Sequence, residues 1–339
     1  RGDIKAWAHA QPAGALRPVQ AFVARKAHDV GADARCRERP CAGRLRRIED
    51  EQRTDLMGGG GHAQRVLEVL PAGGRLYGID RDWEAIRAAS LRLAPFGERF
   101  TALHGNFFEM KALLQAEGVT RVNGILLDLG VSSYQLDNPE RGFSYKQEAP
   151  LDMRMDQSAA LSACEVVNTY SYEQLRQIFW EYGEEKFSGP VASHILRERE
   201  KEPIRTTTQL AEIIKYAIPA RVRNKESQHP ARRCFQAIRI EVNGELRGLE
   251  QALRDAHDLL QPGGRLVVLT FHSLEDRIVK NLFRSFEKPC TCPPKAPICT
   301  CGKVPTARIL TRKPLTASEQ EQRENTRSQC CKLRAIEKL

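Results

Sequence analysis

Residues 58–62, Gly-Gly-Gly-Gly-His, stand just ahead of a helical pattern, and Asp80 closes a short apolar run further along the chain. Glycine lets the backbone pass close to a ligand, and the unpaired N–H groups at a helix start bind polar edges. A carboxylate about 20 residues beyond such a turn, at a strand end, can accept both hydroxyls of a ribose. Together these features describe a site for a nucleoside-containing cofactor at the carboxyl edge of a sheet. Gly58-x-Gly60-x-x-Ala63 also satisfies the dinucleotide fingerprint. A nicotinamide or flavin oxidoreductase is therefore a second reading, and a plain helix-entry turn a third.

His272, Ser273 and Asp276 have the residue types of a hydrolase triad. Neighbours in sequence cannot line up as nucleophile, base and orienting group, and Ser273 with Asp276 suits a helix capping box instead. Cys290-Thr-Cys292 and Cys299-Thr-Cys301 bring four thiols together that could wrap one zinc ion. Their spacing is not the familiar Cys-x-x-Cys form, so a loop of reduced thiols competes with a structural metal. No metal is assigned to the catalytic site.

The elements that must position these residues follow from pattern. The chain has 339 residues, enough for a large core, and 28% of them are charged, as in ordinary globular proteins. No apolar run approaches the roughly 20 residues of a membrane helix. Without an export signal, the ten cysteines are expected to be reduced thiols or metal ligands. The net charge of +10 suggests a polyanionic partner, but residues 1–53 hold 12 Lys and Arg against 7 Asp and Glu, half of the excess. Basicity therefore says little.

From residue 57 onward the pattern changes from irregular to alternating. Strand-like runs at 75–80, 100–103 and 124–129 are separated by helical spacing at 66–70, 86–93 and 110–114, the mark of a parallel sheet covered on both faces. Between about 138 and 228 the apolar residues recur only at helical spacing, with Ser162/Glu165 and Ser171/Gln174 as capping boxes. The alternating pattern resumes with one long helix around 235–260, a Pro262-Gly-Gly turn, a strand at 265–271 and a helix at 275–286.

At this point the residues become specific. Asn123-Gly-Ile-Leu-Leu-Asp-Leu-Gly-Val-Ser-Ser133, Gln135-Leu-Asp-Asn-Pro-Glu-Arg-Gly-Phe-Ser144 and Pro150-Leu-Asp-Met-Arg-Met-Asp156 form a nearly unbroken motif. Together with residues 58–62, 77–82, 182–185, 229–231 and 271–280, they resemble the bacterial ribosomal RNA small subunit methyltransferase H family, which methylates a cytidine N4. The resemblance spans about residues 57–339. It implies a doubly wound, mostly parallel α/β sheet of the Rossmann-like class I methyltransferase type with an inserted all-helical domain. The methyltransferase domain would comprise 57–137 and 229–339, and the substrate-recognition insert 138–228. It further implies S-adenosylmethionine as cofactor, and small-subunit ribosomal RNA or the assembled subunit as partner. A cytoplasmic protein, not bound to membrane, is implied too, with a second copy of the chain as a candidate partner.

Carried over residue by residue, the family's cofactor contacts fall on Gly60, Gly61, His62, Asp80, Phe107, Asp128 and Gln135. Phe107, just past a strand, suits packing against adenine, and Asp128 ends a strand beside the crevice where such sheets bind ligands. Amino methyltransferases of nucleic acid commonly place an acidic or amide residue, two prolines and an aromatic at this strand end. This chain has Asp128-Leu-Gly-Val131 instead, so that scheme does not carry over, and Asp128 itself is the candidate acceptor for the amino proton. Asp152, Arg154 and Asp156 suit either an internal salt bridge or a wall of the pocket. Lys201, Arg205, Arg221, Arg223, Lys225, Arg232 and Arg233 on the insert are candidate phosphate contacts.

The chain departs from the family ahead of residue 57. Thr54 holds the place of an expected Asp, and no apolar strand is expected before the glycine turn. Residues 1–56 read as unrelated sequence joined to the core, as a frame error or faulty gene start would produce. Tyr134, Gly189-Pro190, Arg232, Cys234 and residues 325–334 are smaller departures. A catalytically inactive RNA-binding relative is the alternative these departures support.

Overall fold

The structure is a computed structural model, and it describes residues 22–25, 60–225, 228–293, 298 and 300–339. Five parallel strands form its centre: β1 (Phe22–Arg25), β2 (Leu76–Asp80), β3 (Phe100–His104), β4 (Val122–Asp128) and β5 (Leu260–Thr270). Three more, β6 (Ala307–Ile309), β7 (Leu315–Thr316) and β8 (Lys332–Lys338), complete the sheet. The strand order is β3-β2-β1-β4-β5-β8-β6, with β7 also on β8, and the β8 pairings are antiparallel. β4 is buried at all but one of its seven positions, because helices cover both faces of the parallel part.

One face carries α1 (Gly61–Val69) and α2 (Trp83–Leu93), whose Val66, Leu67 and Leu93 pack on Leu76 and Leu126. The other face carries α3 (Met110–Ala116), together with two later helices, over Ile79, Ile125, Leu127 and Val268. Those two are α11 (Leu249–Leu259) and α12 (Ser273–Glu287). Between β4 and β5 run α4 (Ser133–Asp137), α5 (Ala163–Thr169), α6 (Tyr172–Glu181), α7 (Ser188–Arg199), α8 (Thr207–Ala217), α9 (Ala220–Arg223) and α10 (Arg232–Asn243). Capping boxes at Ser162/Glu165 and Ser171/Gln174 start α5 and α6 as expected, and Thr206/Gln209 starts α8 likewise. The insert has its own core, in which Val166, Phe179, Ile195, Leu210 and Ile214 meet Cys234, Phe235 and Ile238 of α10. Helical packing thus continues through α10, beyond the expected boundary at 228. The last helix, α13 (Glu319–Glu324), precedes β8.

Three expectations are corrected. A strand does precede the glycine turn: the run Phe22-Val-Ala-Arg25 lies between β2 and β4, pairing Val23 with Tyr77 and with Ile125. At only four residues, it is too short to show a periodicity of its own. The remainder of residues 1–59, including Thr54, Gly58 and Gly59, lies outside the described residues. The single long helix expected at 235–260 is two helices, because Gly244 takes φ 59° and caps α10, a conformation that ends a helix. The capping box of α12 is His272 with Glu275 rather than Ser273 with Asp276. Ser273 Oγ instead donates to Glu184 Oε2 at 2.6 Å, and Asp276 accepts from Arg334 Nε at 2.6 Å.

Candidate active site

Strand register fixes the frame of the site. Gly78 and Leu126 both pair with Ala24, so two residues on, Asp80 and Asp128 end their strands level with each other on either side of β1. Level residues in parallel strands face the same side, and two strand spacings of about 4.8 Å set them roughly 10 Å apart. That side is the one α1 covers. His62, in the first turn of α1, brings Nδ1 to 3.5 Å from Oδ2 of the fully buried Asp128. Gly60, immediately before α1, has φ 90° and would press a Cβ to 3.3 Å from Leu93, so glycine is required there. Gly61 begins the helix, and its amide belongs to the turn that would face an anion.

A second group of side chains is organised around Asp82, the N-cap of α2. Its amide donates to Asp80 Oδ1 at 2.9 Å, while its own carboxylate receives Glu84 N at 3.0 Å. Gln135 Nε2 donates to Asp82 Oδ2 at 2.6 Å, and an Arg141 Nη reaches the same oxygen at 3.0 Å. Arg141 also meets Glu84 Oε2 at 2.7 Å and the carbonyl oxygens of Arg154 and Met155. The expected pairing of Arg154 with Asp152 is present at 2.7 Å, whereas Asp156 accepts from Ser158. Arg81 spans to the end of the insert, donating to Asn243 O at 2.9 Å. Asn243 in turn holds Met155 N and Met153 O, and Arg81 also reaches Met155 Sδ, so the 150–156 segment is tied both to the end of α10 and to the residue after β2.

The structure thus brings His62 to Asp128, and Asp80 to Gln135 through Asp82. Phe107 lies in the main core with its ring 4.5 Å from Phe108. Asp82, Arg141 and Asn243 are the functional residues sequence reasoning missed. Asp82 and Arg141 both lay within the quoted motifs, and Asp82, two residues past a strand end and just ahead of the helical spacing at 86–93, carried the signal of a helix N-cap. Trp83, next to Asp82, is 59% exposed and stacks at 3.9 Å on His104 at the end of β3.

Electrostatically the Asp128 end is negative. Burial, followed by the charge of Asp128, pushes the Cys331 thiol up to about 12. At the far side of the edge, Glu245 is held down at about 2: burial opposes its charge, but the Arg239 guanidinium at 2.8 Å outweighs burial.

A family model described as the MraW methylase family matches residues 46–339. The chain belongs to that family. It is 53% identical over 283 residues to ribosomal RNA small subunit methyltransferase H 2 of Agathobacter rectalis, covering 83% of this chain and 90% of that protein. It is 50% identical to the methyltransferase H of Carboxydothermus hydrogenoformans, covering 84% and 90%. With that of Symbiobacterium thermophilum it shares 52%, covering 84% and 89%. Membership in the MraW methylase family makes the chain a methyltransferase, with S-adenosylmethionine as its cofactor. β1 precedes the stretch the family model matches.

Proposed function

We propose that the protein transfers a methyl group from S-adenosylmethionine to the N4 amino group of a cytidine in small-subunit ribosomal RNA. The level placement of Asp80 and Asp128 around β1 carries this reading. The residues suit the cofactor. The positive-φ turn at Gly60 admits close approach of its amino-acid end, and the Asp80 carboxylate suits its ribose hydroxyls. Asp82, held by Gln135 and Arg141, fixes Asp80 through the backbone amide. When bound, the cofactor supplies an electrophilic methyl group on a sulfonium.

What remains for the chain is to align a poor nucleophile and take its proton. The cytosine amino lone pair is delocalised into the ring, so alignment and proton acceptance are the available contributions. Asp128 is the acceptor in this reading, with His62 Nδ1 3.5 Å from its carboxylate. The base leaves its stack to reach it. Exposed Tyr216, with Lys215 Nζ 5.4 Å and the Arg223 guanidinium 5.7 Å from its ring, gives the insert a stacking and phosphate-binding surface. Of the expected phosphate contacts, Lys201, Arg205, Arg221, Lys225, Arg232 and Arg233 are exposed and Arg223 is half-buried.

The natural substrate in this reading is the ribosomal RNA within a small subunit in the cytoplasm. No helix among the described residues is long and apolar enough to cross a membrane. The test incubates the protein and labelled S-adenosylmethionine with small subunits lacking the endogenous enzyme, followed by nucleoside analysis. N4-methylcytidine is the expected product. Label on another nucleoside, or none with folded protein that binds the cofactor, overturns the reading.

A further inference from the structure

The loop between α12 and β6 starts at the end of α12, and the residues that lead into β6 return beside that end. Thr306 N donates to Phe286 O at 2.9 Å, and Ile309 N to Glu287 Oε1 at 3.0 Å, so the base of the loop is closed. Within it, the sulfur atoms of Cys290, Cys292 and Cys301 all lie within 4.8 Å of one another. The Cys290 and Cys301 sulfurs are 3.7 Å apart, far beyond the roughly 2.05 Å of a disulfide bond. A tetrahedral zinc with Zn–S bonds of about 2.3 Å sets neighbouring sulfurs about 3.8 Å apart. The backbone amide of Thr300 donates to Cys292 Sγ at 3.4 Å, a contact that favours the thiolate over the thiol. Cys299, the remaining member of the two pairs, lies outside the described residues.

We propose that Cys290, Cys292 and Cys301 hold a thiophilic divalent metal ion, zinc foremost, with one tetrahedral position left to a further donor. On binding, each thiol gives up its proton to solvent as its sulfur donates an electron pair to the ion; no redox change is involved. The ion is structural. α12 has 15 residues, so at about 1.5 Å per residue the cluster lies roughly 20 Å from His272 and the edge of the sheet where methyl transfer occurs. Its role is to clip the described part of the loop onto the end of α12.

The test uses the full-length chain without a histidine tag, purified under reducing conditions in the absence of chelators. Elemental analysis is expected to find about one zinc per chain. Cys290→Ser combined with Cys292→Ser is expected to lower this to below about a tenth, while Cys330→Ser leaves it unchanged. In the unaltered chain, cobalt replacement gives a thiolate-to-metal charge-transfer absorption, and the metal slows reaction of three thiols with Ellman's reagent until a chelator is added. These last readings need no variant to fold. Failure of the unaltered chain to retain zinc after incubation with excess ion and desalting overturns the proposal. Equal zinc in the unaltered chain and the double variant overturns it too.

Discussion

Arg141 and Asp82, 59 positions apart in sequence, meet at 3.0 Å just beyond the end of β2, and both are buried. The pair joins the first turn of α2 to the segment leading into the helical insert. Asp82 in turn holds Asp80, which makes the ion pair a support for the carboxylate proposed to bind the ribose. Removing one partner of a buried pair leaves an uncompensated charge and costs about 3–5 kcal/mol. Arg141→Met is therefore expected to lower stability by that amount in urea unfolding. Arg141→Lys, which cannot contact Asp82, Glu84 and two carbonyls at once, is expected to recover only part of it.

Asp80→Ala removes the carboxylate proposed for the ribose. Loss of charge-assisted hydrogen bonds amounts to about 1.5–3 kcal/mol, so calorimetry is expected to show S-adenosylmethionine binding weakened by about 10- to 150-fold. An unchanged affinity in the folded variant would remove Asp80 from the site.

Asp128→Asn keeps the shape of the side chain but removes its basicity. Cofactor affinity is expected to change by only a few-fold, while single-turnover methylation slows by about 100-fold or more. Equal losses in binding and rate would show that Asp128 holds the cofactor rather than the amino proton.

Gly142 has φ 67°, and a Cβ there would fall onto the carbonyl oxygen of Pro150 and to 2.7 Å from the amide nitrogen of Asp152. Gly142→Ala is expected to destabilise the fold by at least about 2 kcal/mol, combining left-handed strain with overpacking. The measurement is a shift of the urea midpoint at constant slope.

Glu245 is lowered from 4.5 to about 2 in the folded chain by Arg239, against the opposing effect of burial. A carboxyl lowered on folding contributes stability that is full above pH 4.5 and disappears as pH falls toward 2. Up to about 3 kcal/mol is expected to vanish over that window. Glu245→Gln should flatten this part of the stability profile, measured by urea unfolding between pH 7 and pH 2.5.

How far the amino acids alone led can be read element by element. β2, β3, β4 and the helices between them followed from apolar runs and helical spacing, because one buried face imposes a period on its residues. The capping boxes of α5 and α6 were visible as short local pairs. β1 was not, since four residues in an irregular segment carry no period, and only the vacancy between β2 and β4 gives them a place. The break at Gly244 was hidden because a helical apolar pattern continues across it.

Local chemistry determined that this chain has a glycine turn, acidic strand ends and a nucleoside-type site, since those signals reside in neighbouring residues. Tertiary structure decided that Asp80 and Asp128 stand level across β1, that Gln135 and Arg141 converge on Asp82, and that three cysteine sulfurs gather in one loop. Those relationships depend on strand register and on which charges find partners away from water. Neither is encoded in the spacing of nearby residues.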